Sequence, residues 1–215
     1  MATYQQGANG AFSGKAGSVV GSNWRSIGYL RGLARFKSKS NSPKQAAQRL
    51  RFRMGVSFLQ PMKSVLRAGF NDRKRGRNTA FNQGLQHFIA NAVTGEYPNL
   101  EIDYSGVALS RGALEKLIGL TLASDAPNTI SLAWANLHDP QSETAFADDM
   151  VVTVLYNKTE DLFTTNRSAS RQDEGLQLEL PPAFSGHEFH VWVFTQHREG
   201  FEVSPSQYAG TVVLS

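Results

Sequence analysis

The sequence contains no cysteine, and its first 80 residues contain a single acidic residue. The absence of cysteine excludes a disulfide framework, thiol catalysis and cysteine-bound zinc. No stretch approaches the roughly 20 apolar residues of a membrane span, so we expect no membrane partner. The N-terminus has no apolar run after a basic flank, which predicts no signal peptide and a protein that is cytoplasmic at synthesis, with an unknown final location.

The shortage of acids in one half divides the chain into two charged parts. Residues 1–80 hold 16 Lys and Arg against the one acid Asp72, a net charge of +15. Residues 81–215 hold 6 basic and 17 acidic residues, a net charge of −11. The chain of 215 residues is 40% apolar, enough to bury a core in one large or two small domains. We therefore expect two oppositely charged structural parts.

A helix start is predicted at Ser42. Ser as the N-cap, Pro43 at the first helical position and Gln45 complete a capping-box pattern, and apolar residues follow every three or four positions. Pro61 removes a backbone donor, so we expect it to kink this helix, which covers about residues 43–69.

A second helix is predicted for about residues 78–93, where the apolar residues again share one face, and Gly95 is expected to stop it. The two helices define a helical segment over residues 41–95. A glycine-rich and basic segment precedes it over residues 1–40, where short β-like runs at 18–20 and 27–30 predict an extended arm or a loose hairpin without a core of its own. A strand and linker follow over residues 96–117.

From residue 118 the pattern changes to short alternating strands separated by turns. The residues expected to face inward are Ile130, Leu132, Trp134, Val152, Val154, Tyr156, Leu176, Leu178, Leu180, Phe189, Val191 and Val193. This pattern predicts an antiparallel β-sandwich over residues 118–215 and an α+β fold for the whole chain. A Trp on an early strand, a Tyr on the next strand and a late aromatic strand follow one another as in a fibronectin type III or immunoglobulin-like domain, which this region resembles. The resemblance implies a fold and no chemistry.

Four segments together resemble a family of uncharacterised Bacteroidota proteins. They are GKAGSVVGSNWR at 14–25, SPKQAAQR at 42–49, YPNLEIDY at 97–104 and LSRG at 109–112. The match runs nearly from end to end. The family has only a domain-of-unknown-function label, so the resemblance implies a bacterial or bacteriophage origin and transfers no catalytic residues.

The residues that could carry chemistry lack the required patterns. His187 and His190 would point to opposite faces of a strand, and no third ligand follows at a metal-binding spacing, so we expect both to be exposed or interfacial. Asp148 and Asp149 would project in two directions from a solvated turn. No nucleophile motif is present. We therefore expect no enzyme, no cofactor, no metal and no small-molecule substrate.

The basic N-terminal half is the candidate site for docking a polyanion or another subunit. Its basic residues are Arg25, Arg31, Arg35, Lys37, Lys39, Lys44, Arg49, Arg53, Arg73, Lys74, Arg75 and Arg77. The aromatic residues that interleave with them, for stacking or packing, are Trp24, Tyr29, Phe36 and Phe52.

Two functions fit these features. The favoured one is a non-enzymatic self-assembling structural protein, a subunit of a filament, tube or virion-like particle, in which the basic half of one copy docks on the acidic sandwich of the next. The alternative is a nucleic-acid-binding protein that uses the basic residues of 25–77, with the sandwich as a partner-binding module. The expected partner is another copy, in an oligomer or polymer, and nucleic acid is the alternative.

Overall fold

The structure is a computed structural model that describes residues 3–4, 11–24, 27–34, 42–71, 78–136 and 144–215. The chain divides into two compact units, residues 1–42 and residues 43–215. It consists mostly of antiparallel β-sheets with three helices, which makes the fold α+β, as predicted.

The smaller unit is a four-stranded antiparallel sheet in the order β1-β2-β3-β4. Its strands are β1 (Thr3–Tyr4), β2 (Phe12–Ala16), β3 (Val19–Trp24) and β4 (Ile27–Gly32). The extended arm predicted for residues 1–40 is therefore not confirmed in the described residues. Glycine permits the close packing of these strands: a Cβ at Gly21 would collide with the ring and carbonyl oxygen of Phe12.

Three helices open the larger unit. They are α1 (Pro43–Leu59), α2 (Lys63–Gly69) and α3 (Ala80–Asn91). The predicted start at Pro43 and the break at Pro61 are both confirmed. The Thr79 hydroxyl caps α3 by accepting a hydrogen bond from the Asn82 backbone N–H at 3.0 Å. This helix ends at Asn91, two residues before the predicted end, because the next residues belong to a strand.

That strand is β5 (Val93–Glu96), which pairs with β6 (Asn99–Ile102) in a two-stranded sheet. The strand predicted after residue 96 is thus present as β6. Its partner, β5, was not predicted, because the sequence analysis placed the start of β5 in the C-terminal end of the second helix. Gly95 was expected to stop the helix. It lies inside the hairpin instead, where its φ of 82° is one that only glycine adopts readily.

The remaining strands form two antiparallel sheets, a four-stranded sheet in the order β10-β9-β12-β13 and a three-stranded sheet in the order β11-β8-β7. They are β7 (Ile118–Ala123), β8 (Thr129–Ala135), β9 (Met150–Asn157), β10 (Leu162–Ser170), β11 (Gly175–Glu179), β12 (Glu188–Gln196) and β13 (Gln207–Val213). The first of these strands begins at the predicted residue.

The four-stranded sheet has an apolar core on each face. The helix-side core joins strands β9 and β12 to the helices and includes Phe58, Leu66, Phe88, Val154 and Trp192. The sheet-side core joins the same two strands to the three-stranded sheet and includes Ile130, Trp134, Leu155, Leu178 and Val193. Residues 151–157 and 189–195 are consequently all buried.

Burial on both faces corrects one part of the sequence-based prediction. Val152, Val154 and Tyr156 were expected to point into the space between the two sheets, but they lie in the helix-side core. Their neighbours Val151 and Leu155 occupy the sheet-side core. A strand buried on both faces has no polar face, so its sequence does not show which apolar residues point which way.

The helices and the strands share one compact unit, whereas the sequence placed the two charge poles in separate units. The reason is that the apolar stripes of α1, α2 and α3 pack on the four-stranded sheet as well as on one another. The larger unit therefore carries basic helices on one side of that sheet and acidic strands and turns elsewhere.

Candidate interaction surfaces

One face of the small sheet combines basic and aromatic residues. In the strand register Lys15 pairs with Val20, Val20 with Arg31, and Ser22 with Tyr29. Because side chains alternate along a strand, Lys15, Trp24, Tyr29 and Arg31 share this face. Trp24 is 48% exposed and Tyr29 is 46% exposed. Lys15 was not in the predicted set, because it joins this face only through its cross-strand pairing with Val20, which spacing along the chain does not reveal.

The small sheet has no core of its own. Of its described residues 11–24 and 27–34, only Gly21 is buried. Leu30, on the face opposite Tyr29, is 63% exposed, and Leu33 is 44% exposed. A sheet of this size needs an apolar face packed against another surface to be stable. The described residues therefore leave side chains exposed on both faces of this sheet.

The first part of α1 forms a second basic surface. The buried residues of this helix, Gly55, Phe58 and Leu59, all lie near its C-terminal end. Lys44 and Phe52 lie in one row along the helix, Arg49 and Arg53 in the adjacent row, and all four are exposed. We call these four residues the helix surface.

The charge of the helix surface favours an acidic partner. No acid occurs in residues 42–71, so the helix has no acidic residue in its first turn to interact with its dipole. Arg49 and Arg53 are four residues apart, a spacing at which like charges repel along a helix. An anionic surface placed against this face relieves both effects.

The described part of the chain places Trp24, Tyr29 and Arg31 on the small sheet and Lys44, Arg49, Phe52 and Arg53 on α1. The other predicted residues lie outside the described residues: Arg25, Arg35, Phe36, Lys37, Lys39, Arg73, Lys74, Arg75 and Arg77.

Acidic residues gather at one end of the two large sheets. This acidic end consists of Asp125, Glu160, Asp161, Glu179 and Glu188. Hydrogen bonds connect the turns that carry them: the Asn128 N–H donates to the Ser215 carbonyl at 2.8 Å, and the Lys158 N–H donates to the Glu188 carbonyl at 3.0 Å. Lys158 also pairs with the Glu188 carboxylate at 2.9 Å, which raises the pKa of the lysine.

The acidic pair at 148 and 149 is structural. Asp148 is exposed and pairs with Arg198 at 2.9 Å, whereas Asp149 is fully buried, with its carboxylate 3.3 Å from the Arg171 guanidinium. Arg171 also donates to the Glu115 carbonyl at 2.8 Å. The expectation of a solvated turn is wrong for Asp149, because a buried arginine compensates its charge.

The two histidines near β12 make separate contacts. The His187 Nδ1 lies 3.0 Å from the Asn157 side-chain nitrogen. His190 was expected to be exposed or interfacial, but it is buried, with its ring 3.8 Å from that of Tyr104 and its Nδ1 2.7 Å from the Tyr208 hydroxyl. Burial lowers the pKa of His190, which keeps the ring neutral near pH 7.

Within the described ranges, no three His, Asp or Glu side chains lie close enough together to hold a metal ion. The described helices include none that is both long and apolar enough to span a bilayer.

The described residues define an α+β protein with basic and aromatic residues exposed on the small sheet and on the first part of α1. The chain belongs to DUF6266, a family of unknown function that matches residues 11–210. This confirms the resemblance to an uncharacterised family. No curated protein matches the chain.

The chain is also similar to solved structures of fibronectin type III domains. One is the fn3 domain of the human collagen alpha-1(XX) chain, with 12% identity, a TM-score of 0.36, and coverage of 48% of this chain and 87% of that one. Another is the fn3 domain of human contactin 1, with 14% identity, a TM-score of 0.32, and coverage of 54% and 94%. A structure of titin kinase and its flanking domains matches with 13% identity and a TM-score of 0.34, over 48% of this chain and 18% of that one.

Proposed function

We propose that this protein is a non-enzymatic, self-assembling structural subunit, in which the small sheet and the helix surface of one copy dock on the acidic end of the next. The observation that carries the proposal is the small sheet, whose described residues bury nothing except Gly21 while Trp24, Tyr29, Leu30 and Leu33 remain exposed. Such a sheet needs a covering surface.

Charge complementarity supports a second copy as the covering partner. The net charge of +15 in residues 1–80 opposes the −11 of residues 81–215 in every copy. The helix surface and the acidic end are different parts of the molecule, so their contact is head to tail. A head-to-tail contact forms a ring if the rotation closes and an open filament if it does not.

The larger unit supplies a rigid block for such an assembly. Its seven strands in two antiparallel sheets around the sheet-side core support the prediction of a β-sandwich of the fibronectin type III or immunoglobulin kind. The helix-side core then fixes the helix surface to that block.

Light scattering and electron microscopy of the purified full chain test the proposal. Two variants reverse one surface each, the first with Lys44→Glu, Arg49→Glu and Arg53→Glu, the second with Asp125→Lys, Glu160→Lys and Glu179→Lys. A control reverses three other exposed bases, with Arg67→Glu, Lys116→Glu and Arg167→Glu. We expect polymers of the wild-type protein and the control at low salt, and their dissociation at about 1 M NaCl, where charges are strongly screened.

Each surface-reversed variant alone should stay monomeric. A wild-type protein that remains monomeric at low salt rejects the proposal. Equal loss of assembly in the control would also reject it, because the effect would then follow the total charge and not the two surfaces.

The second candidate function is binding of single-stranded nucleic acid. It is favoured by one observation, that Lys15, Trp24, Tyr29 and Arg31 share one face of the small sheet. Bases stack on exposed aromatic rings while basic side chains neutralise the phosphates.

Fluorescence anisotropy with a labelled oligothymidine tests this candidate. If the protein binds nucleic acid, the logarithm of its affinity should fall linearly with the logarithm of the salt concentration. The slope should be about −0.7 for each phosphate contacted on single strands and about −0.9 on duplexes. Replacement of Trp24 and Tyr29 by Ala should cost about 1–3 kcal/mol for each stacked base, while Phe12→Leu on the other face serves as the control. A flat salt response would reject nucleic-acid binding.

A further inference from the structure

A groove of about 1130 Å³ lies in the larger unit, between α3 and the connection from β12 to β13. One wall is a face of α3, where Gln83, Gln86 and His87 recur at helical spacing. The opposite wall comes from the β12–β13 connection and includes His197 and Phe201. The volume lies slightly above the range of about 300–1,000 Å³ found for most ligand sites.

The floor of the groove is held in place by backbone contacts. Gly112 lies against the Val203 carbonyl so closely that a Cβ at residue 112 would collide with it. The Leu114 N–H donates to the same carbonyl at 3.1 Å, and the Ser110 hydroxyl donates to the Ser204 carbonyl at 2.6 Å. The groove is therefore formed by fixed elements of the fold.

The polar lining is rich in groups that both donate and accept hydrogen bonds. The carboxamides in the lining are Asn71, Asn78, Gln83, Gln86 and Asn91. The Nδ1 of His87 is buried and has no hydrogen-bond partner within the described residues. Burial, assisted by the charge of Arg111, lowers the pKa of His87, so this nitrogen belongs to a neutral ring near pH 7.

The apolar lining is mainly aromatic. Phe201 is 53% exposed, and Phe146 packs edge-on against His197 with ring centroids 5.0 Å apart. The aliphatic lining consists of two alanines and Val203, which offers no deep socket for a peptide side chain. Glu199, Glu202 and Arg111 all line the groove, so its described walls carry charges of both signs and do not select a polyanion.

We propose that this groove binds a neutral, hydroxyl-rich ligand of the oligosaccharide class. A sugar hydroxyl donates and accepts at once, which matches the carboxamides of the lining. The apolar face of a sugar ring packs on an exposed aromatic ring, the position that Phe201 offers. The ligand would bind across the groove with its hydroxyls on α3 and one ring face on Phe201.

Depletion binding to insoluble polysaccharides tests this proposal on the full chain. The probes are cellulose, chitin, starch granules and curdlan, with gelatin beads as the peptide probe. About 0.5 M NaCl screens charge pairing between copies, and a sample without polysaccharide corrects for polymers that sediment alone. This arrangement separates failure of the groove from failure of self-assembly.

We expect binding to at least one polysaccharide, with a dissociation constant raised about fivefold to tenfold by Gln86→Ala and by Phe201→Ala, since each removes one hydrogen bond or ring contact of about 1–1.4 kcal/mol. The matched control Gln177→Ala removes an exposed glutamine of β11 outside the groove and should change nothing. The proposal is overturned by the absence of binding to all four polysaccharides, by binding to gelatin alone, or by polysaccharide binding that both groove variants leave unchanged.

Discussion

The two units of this protein use apolar residues in opposite ways. In the larger unit a single sheet has a core on each face, and strands β9 and β12 are buried along most of their length. In the smaller unit a sheet of the same strand number leaves Trp24, Tyr29 and Leu30 exposed. Strand pairing alone therefore does not define a stable unit; the surface that covers the sheet does.

The largest expected effect concerns the buried ion pair of the larger unit. Asp149→Ala leaves the Arg171 guanidinium buried without its partner, so we expect a loss of about 3–5 kcal/mol in the free energy of unfolding, measured by urea denaturation. Asp148→Ala, one residue earlier, removes only an exposed pair with Arg198 and should cost less than about 1 kcal/mol. Equal losses would contradict the assigned role of Asp149.

Two phenylalanines of α1 have different surroundings, since Phe58 lies in the helix-side core and Phe52 lies on the helix surface that is proposed to dock. Phe58 packs against Phe88, Tyr156 and Trp192, so Phe58→Ala should lower the free energy of unfolding by about 3–5 kcal/mol. Phe52 is 53% exposed, so Phe52→Ala should change it by less than about 0.5 kcal/mol and weaken self-assembly instead. A large stability loss in the second variant would show that Phe52 belongs to a core.

Acidification should weaken the larger unit. Burial lowers the pKa values of His87 and His190 from the ordinary 6.5, so the unfolded chain takes up protons there at a higher pH than the folded chain. These two histidines therefore make their complete contribution to stability above pH 6.5, and the free energy of unfolding decreases as the pH falls below that value. Urea denaturation at several pH values should show this fall, and His190→Gln should make it shallower; an unchanged slope would contradict the burial of His190.

Removal of the smaller unit should have the least effect on the stability of the larger one. A chain of residues 43–215 keeps both cores, so we expect the same urea midpoint as for the full chain at high salt, where the full chain is monomeric. It should no longer assemble. Unfolding of the shortened chain would mean that the smaller sheet supplies part of a core.

The sequence predicted the features that depend on local chemistry. Pro61 separates α1 from α2, Pro43 begins α1, and the strands after residue 118 are present, because each follows from a missing donor, a cap or a periodic pattern. The sequence analysis assigned the side chains of β9 to a single core, although they divide between the two cores. A strand buried on both faces has no alternation of apolar and polar residues from which its two faces could be told apart. The β-like runs at 18–20 and 27–30 overlap the paired strands β3 and β4, but the four-stranded sheet was not predicted, because its glycine-rich strands carry few apolar residues and its exposed face depends on a register that spacing alone does not reveal.

A mixing experiment tests self-assembly most directly. The variant with Lys44→Glu, Arg49→Glu and Arg53→Glu has an acidic helix surface, and the variant with Asp125→Lys, Glu160→Lys and Glu179→Lys has a basic end. Neither should polymerise alone at low salt, because each presents like charges at the contact. Mixed in equal amounts, they offer opposite charges at every contact and should form alternating polymers visible by light scattering and electron microscopy. A mixture that stays monomeric, while the wild-type protein polymerises, would contradict the proposed contact.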